Sequence, residues 1–68
     1  MYGRVGCHLC EQMARTLRAF HVPFEELDVD ADAAAAARYG TRVPVLVDAG
    51  GTELCYGRLD PAVLAQIQ

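Results

Sequence analysis

Gly6-Cys7-His8-Leu9-Cys10 places two cysteines three residues apart at the start of an amphipathic run. If that run is a helix, both cysteines share one face within one turn. Cys7 then lies at the helix N-terminus, where free backbone N–H groups and the helix dipole favour a thiolate. Cys10 lies one turn further in, within reach of any disulfide that Cys7 forms. The spacing indicates thiol–disulfide exchange, with a structural cysteine pair or half of a zinc site as open alternatives.

The run that follows has apolar residues at helical spacing. Those residues are Leu9, Met13, Leu17 and Phe20. Their intervals of four, four and three predict a first helix from about Cys7 or His8 to Ala19 or Phe20. Pro23 bars its extension.

The strands are expected on both sides of this helix. Residues 1–5 leave room for only a very short strand, which Gly3 weakens further. Residues 24–29 form a second, mixed apolar and acidic candidate. Residues 43–47 are apolar and β-branched and predict a strand buried on both faces, and residues 53–56 predict its hairpin partner.

Two further helices are predicted from their ends. The alanine-rich stretch 31–40 has Asp30 or Asp32 as an N-cap, and Gly40 suits the C′ position. Asp60-Pro61 opens the last helix with an N-cap acid and a proline at the first helical position. The resulting order is strand, helix, strand, helix, strand, strand, helix. It predicts an α/β domain with a mixed sheet covered by helices, and residues 1–68 make one domain without a linker or repeat.

Composition excludes several classes of function. The net charge of −3 gives no basis for binding nucleic acid or an anionic membrane. No apolar run approaches the roughly 20 residues of a membrane span. Three cysteines without a secretory signal argue against a disulfide-stapled extracellular scaffold. We therefore expect a protein of the reducing cytoplasm.

Four segments, in this order and spacing, resemble the small glutaredoxin-like proteins of the thioredoxin-fold superfamily. They are residues 6–11, residues 27–30, residues 39–46, and Gly57 followed by Leu59-Asp60. The resemblance spans essentially the whole chain. It implies a thioredoxin fold of order β-α-β-α-β-β-α, with a mixed four-stranded sheet flanked by helices and an unusually short first strand.

The resemblance also implies roles for individual residues. Cys7 looks like the nucleophile and Cys10 like the resolving thiol. Pro44 looks like the family's cis-proline, which lies beside the cysteine pair and exposes the backbone of Val43 to an extended substrate. Without the family, an ordinary trans-proline at a strand start is the alternative.

Three charged or titratable residues are candidates for secondary roles. The family's geometry implies that Arg4 and Arg42 flank the site and attract a thiolate or a substrate carboxylate. The alternative for both is a solvated surface arginine. His8 either helps to ionise Cys7 or is solvent-exposed with a weak effect. Cys55 is expected to be a small core residue.

The implied activity is the reduction of disulfides in proteins or in glutathione mixed disulfides, and it requires neither a metal nor an organic cofactor. Glutathione is a candidate reducing co-substrate, and a thioredoxin-type reductase is the competing electron donor. The sequence departs from many glutaredoxins at His8 and Leu9, where they carry proline and tyrosine. It also matches only loosely, at residues 55–60, the turn that helps to hold glutathione.

Two other readings remain open from the sequence. Cys7 and Cys10 could hold zinc or an iron–sulfur cluster together with His8 or Cys55, although zinc usually draws on two ligand pairs and only one is present. A thioredoxin-fold interaction module without turnover is the other alternative.

Overall fold

The computed structural model describes residues 1–68 and contains four strands and three α-helices. In chain order they are β1 (Tyr2–Gly3), α1 (His8–Ala19), β2 (Leu27–Asp28), α2 (Ala33–Tyr39), β3 (Val45–Val47), β4 (Glu53–Tyr56) and α3 (Pro61–Ile67). This sequence of elements confirms the predicted β-α-β-α-β-β-α order. No helix has the length and apolar character that crossing a membrane would require.

The four strands form one mixed sheet in the order β2-β1-β3-β4. β1 runs parallel to β2 and antiparallel to β3, and β3 is antiparallel to β4. Tyr2 of β1 pairs with Leu27 on one side and with Val45 on the other. The strand predicted to be short is therefore both short and central, and it delivers the chain directly to the cysteine segment.

Two strands are shorter than predicted. β2 covers only two residues because its one partner, β1, is itself two residues long and offers no further ladder. β3 begins at Val45 because Pro44, which has no backbone N–H, cannot extend the pairing. The hairpin partner β4 has the predicted bounds.

The second helix begins later than predicted and ends differently. Val29–Ala31 form a 3₁₀ turn capped by Asp28, and Asp32 then caps α2. Gly40 is the C-cap with φ −56°, a right-handed conformation, so the prediction of a C′ glycine is wrong. A Cβ atom at this position would collide with the carbonyl oxygen four residues earlier, which explains the glycine by crowding instead.

The core consists of two clusters on opposite faces of the sheet. Under α1 lie Met1, Cys10, Met13, Ala14, Leu17 and Leu46. Under α2 lie Val29, Ala35, Tyr39 and Val45. Val45 and Leu46 belong to different clusters, which confirms that β3 is buried on both faces. Cys55 is half-buried and packs against the first cluster, as a small core residue would.

Gly3 lies where β1 passes beneath the cysteines. A Cβ atom at Gly3 would come within 3.3 Å of both Cβ and Sγ of Cys10. That separation is shorter than an ordinary van der Waals contact of a carbon atom with another carbon or with sulfur. The residue that weakens the strand in sequence terms therefore makes room for the second sulfur.

Candidate active site

Cys7 and Cys10 are joined by a disulfide across the first turn of α1, with their Cα atoms 5.2 Å apart. Cys7 is the N-cap residue of the helix, in extended backbone geometry. Its Sγ accepts the backbone N–H of Cys10 at 3.2 Å. Sulfur thus occupies the position where a serine or aspartate oxygen usually caps a helix. The predicted placement of both cysteines in one helical turn is confirmed.

The two sulfurs differ in access. Cys7 is half-buried at the surface, whereas Cys10 is 5% exposed and belongs to the core cluster under α1. A molecule arriving from solvent therefore meets Cys7 first, and Cys10 reaches it from beneath. The difference fits a nucleophile at Cys7 and a resolving thiol at Cys10, and those two roles stay predictions.

The loop before Cys7 is fastened through Arg4. The Arg4 carbonyl accepts the Cys7 N–H at 3.2 Å. Its guanidinium donates to both carboxylate oxygens of Asp30, at 2.7 and 2.9 Å, and to the Gly40 carbonyl at 2.9 Å. Arg4 is thus paired with a carboxylate, and its attraction of a thiolate stays a prediction.

The Val43–Pro44 peptide bond is cis, as the resemblance implied. Pro44 is fully buried, and its carbonyl accepts the Gly57 N–H at 2.8 Å. Val43 packs against the same core cluster that contains Cys10 and against which Cys7 packs. Val43 also packs against the cluster under α2, so this segment contacts both core clusters.

Arg42 forms a two-pronged ion pair with Glu53. Its Nη1 and Nη2 donate to the two carboxylate oxygens at 2.8 and 2.9 Å, and Nη2 also donates to the Arg38 carbonyl at 2.9 Å. The guanidinium lies over the rings of Tyr39 and Tyr56, 5.8 and 5.4 Å from their centroids. Arg42 therefore has a carboxylate partner, and its attraction of a substrate carboxylate stays a prediction.

His8 is exposed, and its Nε2 lies 3.0 Å from the side-chain nitrogen of Gln12. The hydrogen bond to the Cys7 sulfur comes from the backbone instead. No group of three or more histidine, cysteine or acidic side chains is placed to hold a metal ion. The structure thus does not assemble Cys7 and Cys10 with His8 or Cys55 into one ligand set.

Both ion pairs shift the titration of their carboxylates. Hydrogen bonding to Arg4 holds the pKa of Asp30 below its usual value, and hydrogen bonding to Arg42 does the same for the pKa of Glu53. The same contacts raise the pKa values of the two arginines.

Acidification is expected to destabilise the fold through these two carboxylates. Their pKa values are lower in the folded than in the unfolded chain, so their contribution is complete above the unfolded values. As the pH falls, the unfolded state takes up protons first, and the contribution is lost by the time the folded-state pKa values are passed. Urea midpoints measured from neutral pH down to about pH 3 should fall more steeply for the wild type than for an Asp30→Asn, Glu53→Gln variant. Parallel curves would contradict this.

Sequence reasoning missed the ion pairs that Asp30 and Glu53 form. Each pairs with an arginine from a different part of the chain, 26 and 11 residues away. No local pattern carries a contact of that kind. The sequence did carry a signal for the close approach at Gly3, because a glycine inside a short central strand often marks a place where another group packs closely on the backbone.

Two solved structures are similar over nearly the whole chain. A structural-genomics target protein from X. campestris, determined by X-ray methods, is 39% identical, with a TM-score of 0.79 over 96% of this chain and 87% of that chain. A protein from Nitrosomonas europaea, determined by NMR in solution, is 37% identical, with a TM-score of 0.85 over 98% of this chain and 86% of that chain. These neighbours agree with a thioredoxin-like fold. No curated protein matches the chain.

A family model described as "Glutaredoxin-like domain (DUF836)" matches residues 1–67. Together with the disulfide-bonded pair of cysteines, this match indicates a redox function. The chain belongs to the glutaredoxin-like domain family.

Proposed function

We propose that this protein is a thiol–disulfide oxidoreductase that reduces mixed disulfides of proteins or of glutathione with its Cys7–Cys10 dithiol. The observation that carries the proposal is the sulfur of Cys7 at the N-cap of α1, half-exposed, with the buried sulfur of Cys10 bonded to it. An accessible thiolate and a resolving thiol in one turn are what disulfide exchange requires.

The reaction begins from the reduced protein. The Cys7 thiolate attacks one sulfur of the substrate disulfide, forms a mixed disulfide and releases the other sulfur as a thiolate that takes up a proton. Cys10, deprotonated, then attacks Cys7 and releases the second substrate thiol. The substrate disulfide gains two electrons, and the protein loses two as its own disulfide forms.

The helix end stabilises the reacting charge. A thiolate at the N-cap faces the backbone N–H groups of the first turn, one of which already points at Cys7 Sγ. Because His8 and Arg4 have other hydrogen-bond partners, we propose that they tune Cys7 only indirectly, through the helix surface and the preceding loop.

The substrate is proposed to lie along Arg42, Val43 and Pro44. The packing of Val43 against the cluster that contains Cys10, and against which Cys7 also packs, supports this. The oxidised protein is then reduced by glutathione or by a thioredoxin-type reductase. The reaction needs a pool of reducing thiols, such as the cytoplasm supplies.

Alkylation of the reduced protein as a function of pH tests the proposal. We expect the rate at Cys7 to reach half its maximum well below about pH 8.5, the midpoint of a free cysteine, since the thiolate is the reacting form. Mass spectrometry of the alkylated peptides separates Cys7 from Cys10 and Cys55, and Cys55 serves as the internal control. A midpoint equal to that of free cysteine would count against catalysis.

A further inference from the structure

The Arg42–Glu53 pair is the least exposed of the three ion pairs in the structure. Its two side chains are 32% and 34% exposed, compared with 39% and 52% for Arg4 and Asp30. Two parallel hydrogen bonds fix the guanidinium, and Tyr39 and Tyr56 lie against it. Its direction is therefore set by the fold.

The register of the sheet locates the Arg42 guanidinium relative to the end of β1 that leads to the cysteines. Tyr2 in β1 pairs with Val45, so the end of β1 that leads to the cysteines lies beside the start of β3. Glu53 pairs with Val47, at the opposite end of β3. Arg42 precedes β3, and its guanidinium both donates to Glu53 and lies over the ring of Tyr56, which pairs with Val45 at the start of β3. The pair thus holds a cation beside the start of β3, with a carboxylate set against its charge.

We propose that Glu53 is a positioning residue that acts through Arg42 and makes the site select neutral and cationic disulfides over anionic ones. This inference rests on the proposed function and names its substrate class. Glutathione disulfide carries several carboxylates, and it reacts faster where a guanidinium is free to receive one. With Arg42 paired to Glu53, a carboxylate already offsets the charge of that guanidinium.

Two of the other charged residues near the disulfide also offer anionic substrates no attraction. Arg4, in the loop before Cys7, is neutralised by Asp30. Glu11 follows Cys10 directly, is exposed and has no ion-pair partner, so it repels anions. Arg58, which shares a groove with Leu9, is a cation without an ion-pair partner and acts in the opposite direction.

Single-turnover oxidation of the reduced protein tests this selectivity without any external reductant. The reduced protein is mixed separately with glutathione disulfide, which is anionic, bis(2-hydroxyethyl) disulfide, which is neutral, and cystamine, which is cationic. Samples are quenched by alkylation, and the oxidised fraction is measured by mass spectrometry. The ratio of the anionic to the neutral rate constant cancels any general change in Cys7 reactivity.

We expect the wild type to react most slowly with glutathione disulfide. Glu53→Gln should raise the anionic-to-neutral ratio about two- to fivefold, the range expected for an exposed ion pair. The gain should vanish near 1 M salt, where charges are screened beyond about 3 Å. It should also vanish in Glu53→Gln combined with Arg42→Gln. Glu25→Gln, which removes an exposed carboxylate that forms no ion pair, is the control and should leave the ratio unchanged.

The outcomes separate this inference from the proposed function. If none of the three disulfides oxidises the dithiol, the oxidoreductase assignment is overturned and the inference goes with it. If all three react at similar rates, or if Glu53→Gln leaves the ratio unchanged, only the selectivity is overturned. A fast wild-type reaction with glutathione disulfide that Arg58→Gln abolishes would likewise overturn it, because Arg58 would then be the anion receptor.

Discussion

Cys7→Ser is expected to abolish disulfide reduction, lowering the rate by roughly a thousandfold or more, as the removal of a nucleophile does in other enzymes. A serine hydroxyl is not ionised at neutral pH and does not attack a disulfide. The loss should not come from unfolding, because serine is a preferred N-cap residue and can accept the Cys10 N–H as the sulfur does. The measurement is turnover of a mixed disulfide between a peptide and glutathione.

Two other cysteine variants serve as controls for this result. Cys55→Ser removes a thiol of the same kind outside the pair, and it should keep nearly full activity. Cys10→Ser should stop the two-thiol route at the mixed disulfide, which mass spectrometry would detect on Cys7. A one-thiol route with glutathione can persist in that variant. A folded Cys7→Ser protein with wild-type turnover would refute the assignment of the nucleophile.

Leu17→Ala is expected to cause the largest loss of stability. Leu17 is fully buried in the cluster under α1. Truncating a buried leucine lowers the free energy of unfolding by about 2–5 kcal/mol. A domain of this length has only roughly 3–10 kcal/mol in total. Urea denaturation followed by circular dichroism should therefore show a large shift to lower midpoint, or a protein already partly unfolded without denaturant.

The matched control for Leu17→Ala is an apolar side chain that is not buried in the core. Val5 is 91% exposed, so Val5→Ala should change the free energy of unfolding by no more than about 0.5 kcal/mol. Equal midpoints for both variants would show that α1 does not depend on the cluster beneath it.

Local signals in the sequence were sufficient for the elements and for the centre of the site. Caps, helical periodicity and the hairpin pattern predicted α1, α3 and β4 closely. The cysteine spacing predicted the sharing of one turn by Cys7 and Cys10. These features depend on residues within a few positions of each other, and neighbouring residues constrain them directly.

The features that sequence reasoning missed depend on contacts between distant segments. The length of β2 is set by β1, and the direction of Arg42 is set by Glu53 on another strand. The glycine at position 40 is required by a carbonyl group rather than by a left-handed turn. None of these is encoded in a window of adjacent residues.

The close approach of Gly3 to Cys10 has an evolutionary consequence. A lineage that keeps the second sulfur favours glycine at position 3, since a methyl group there would crowd the sulfur and its Cβ and require Cys10 to shift. Enlarging position 3 becomes easier only after that sulfur has been given up. Substitutions at the two positions should therefore be coupled, with a side chain at position 3 accompanied by a shift or a replacement of Cys10.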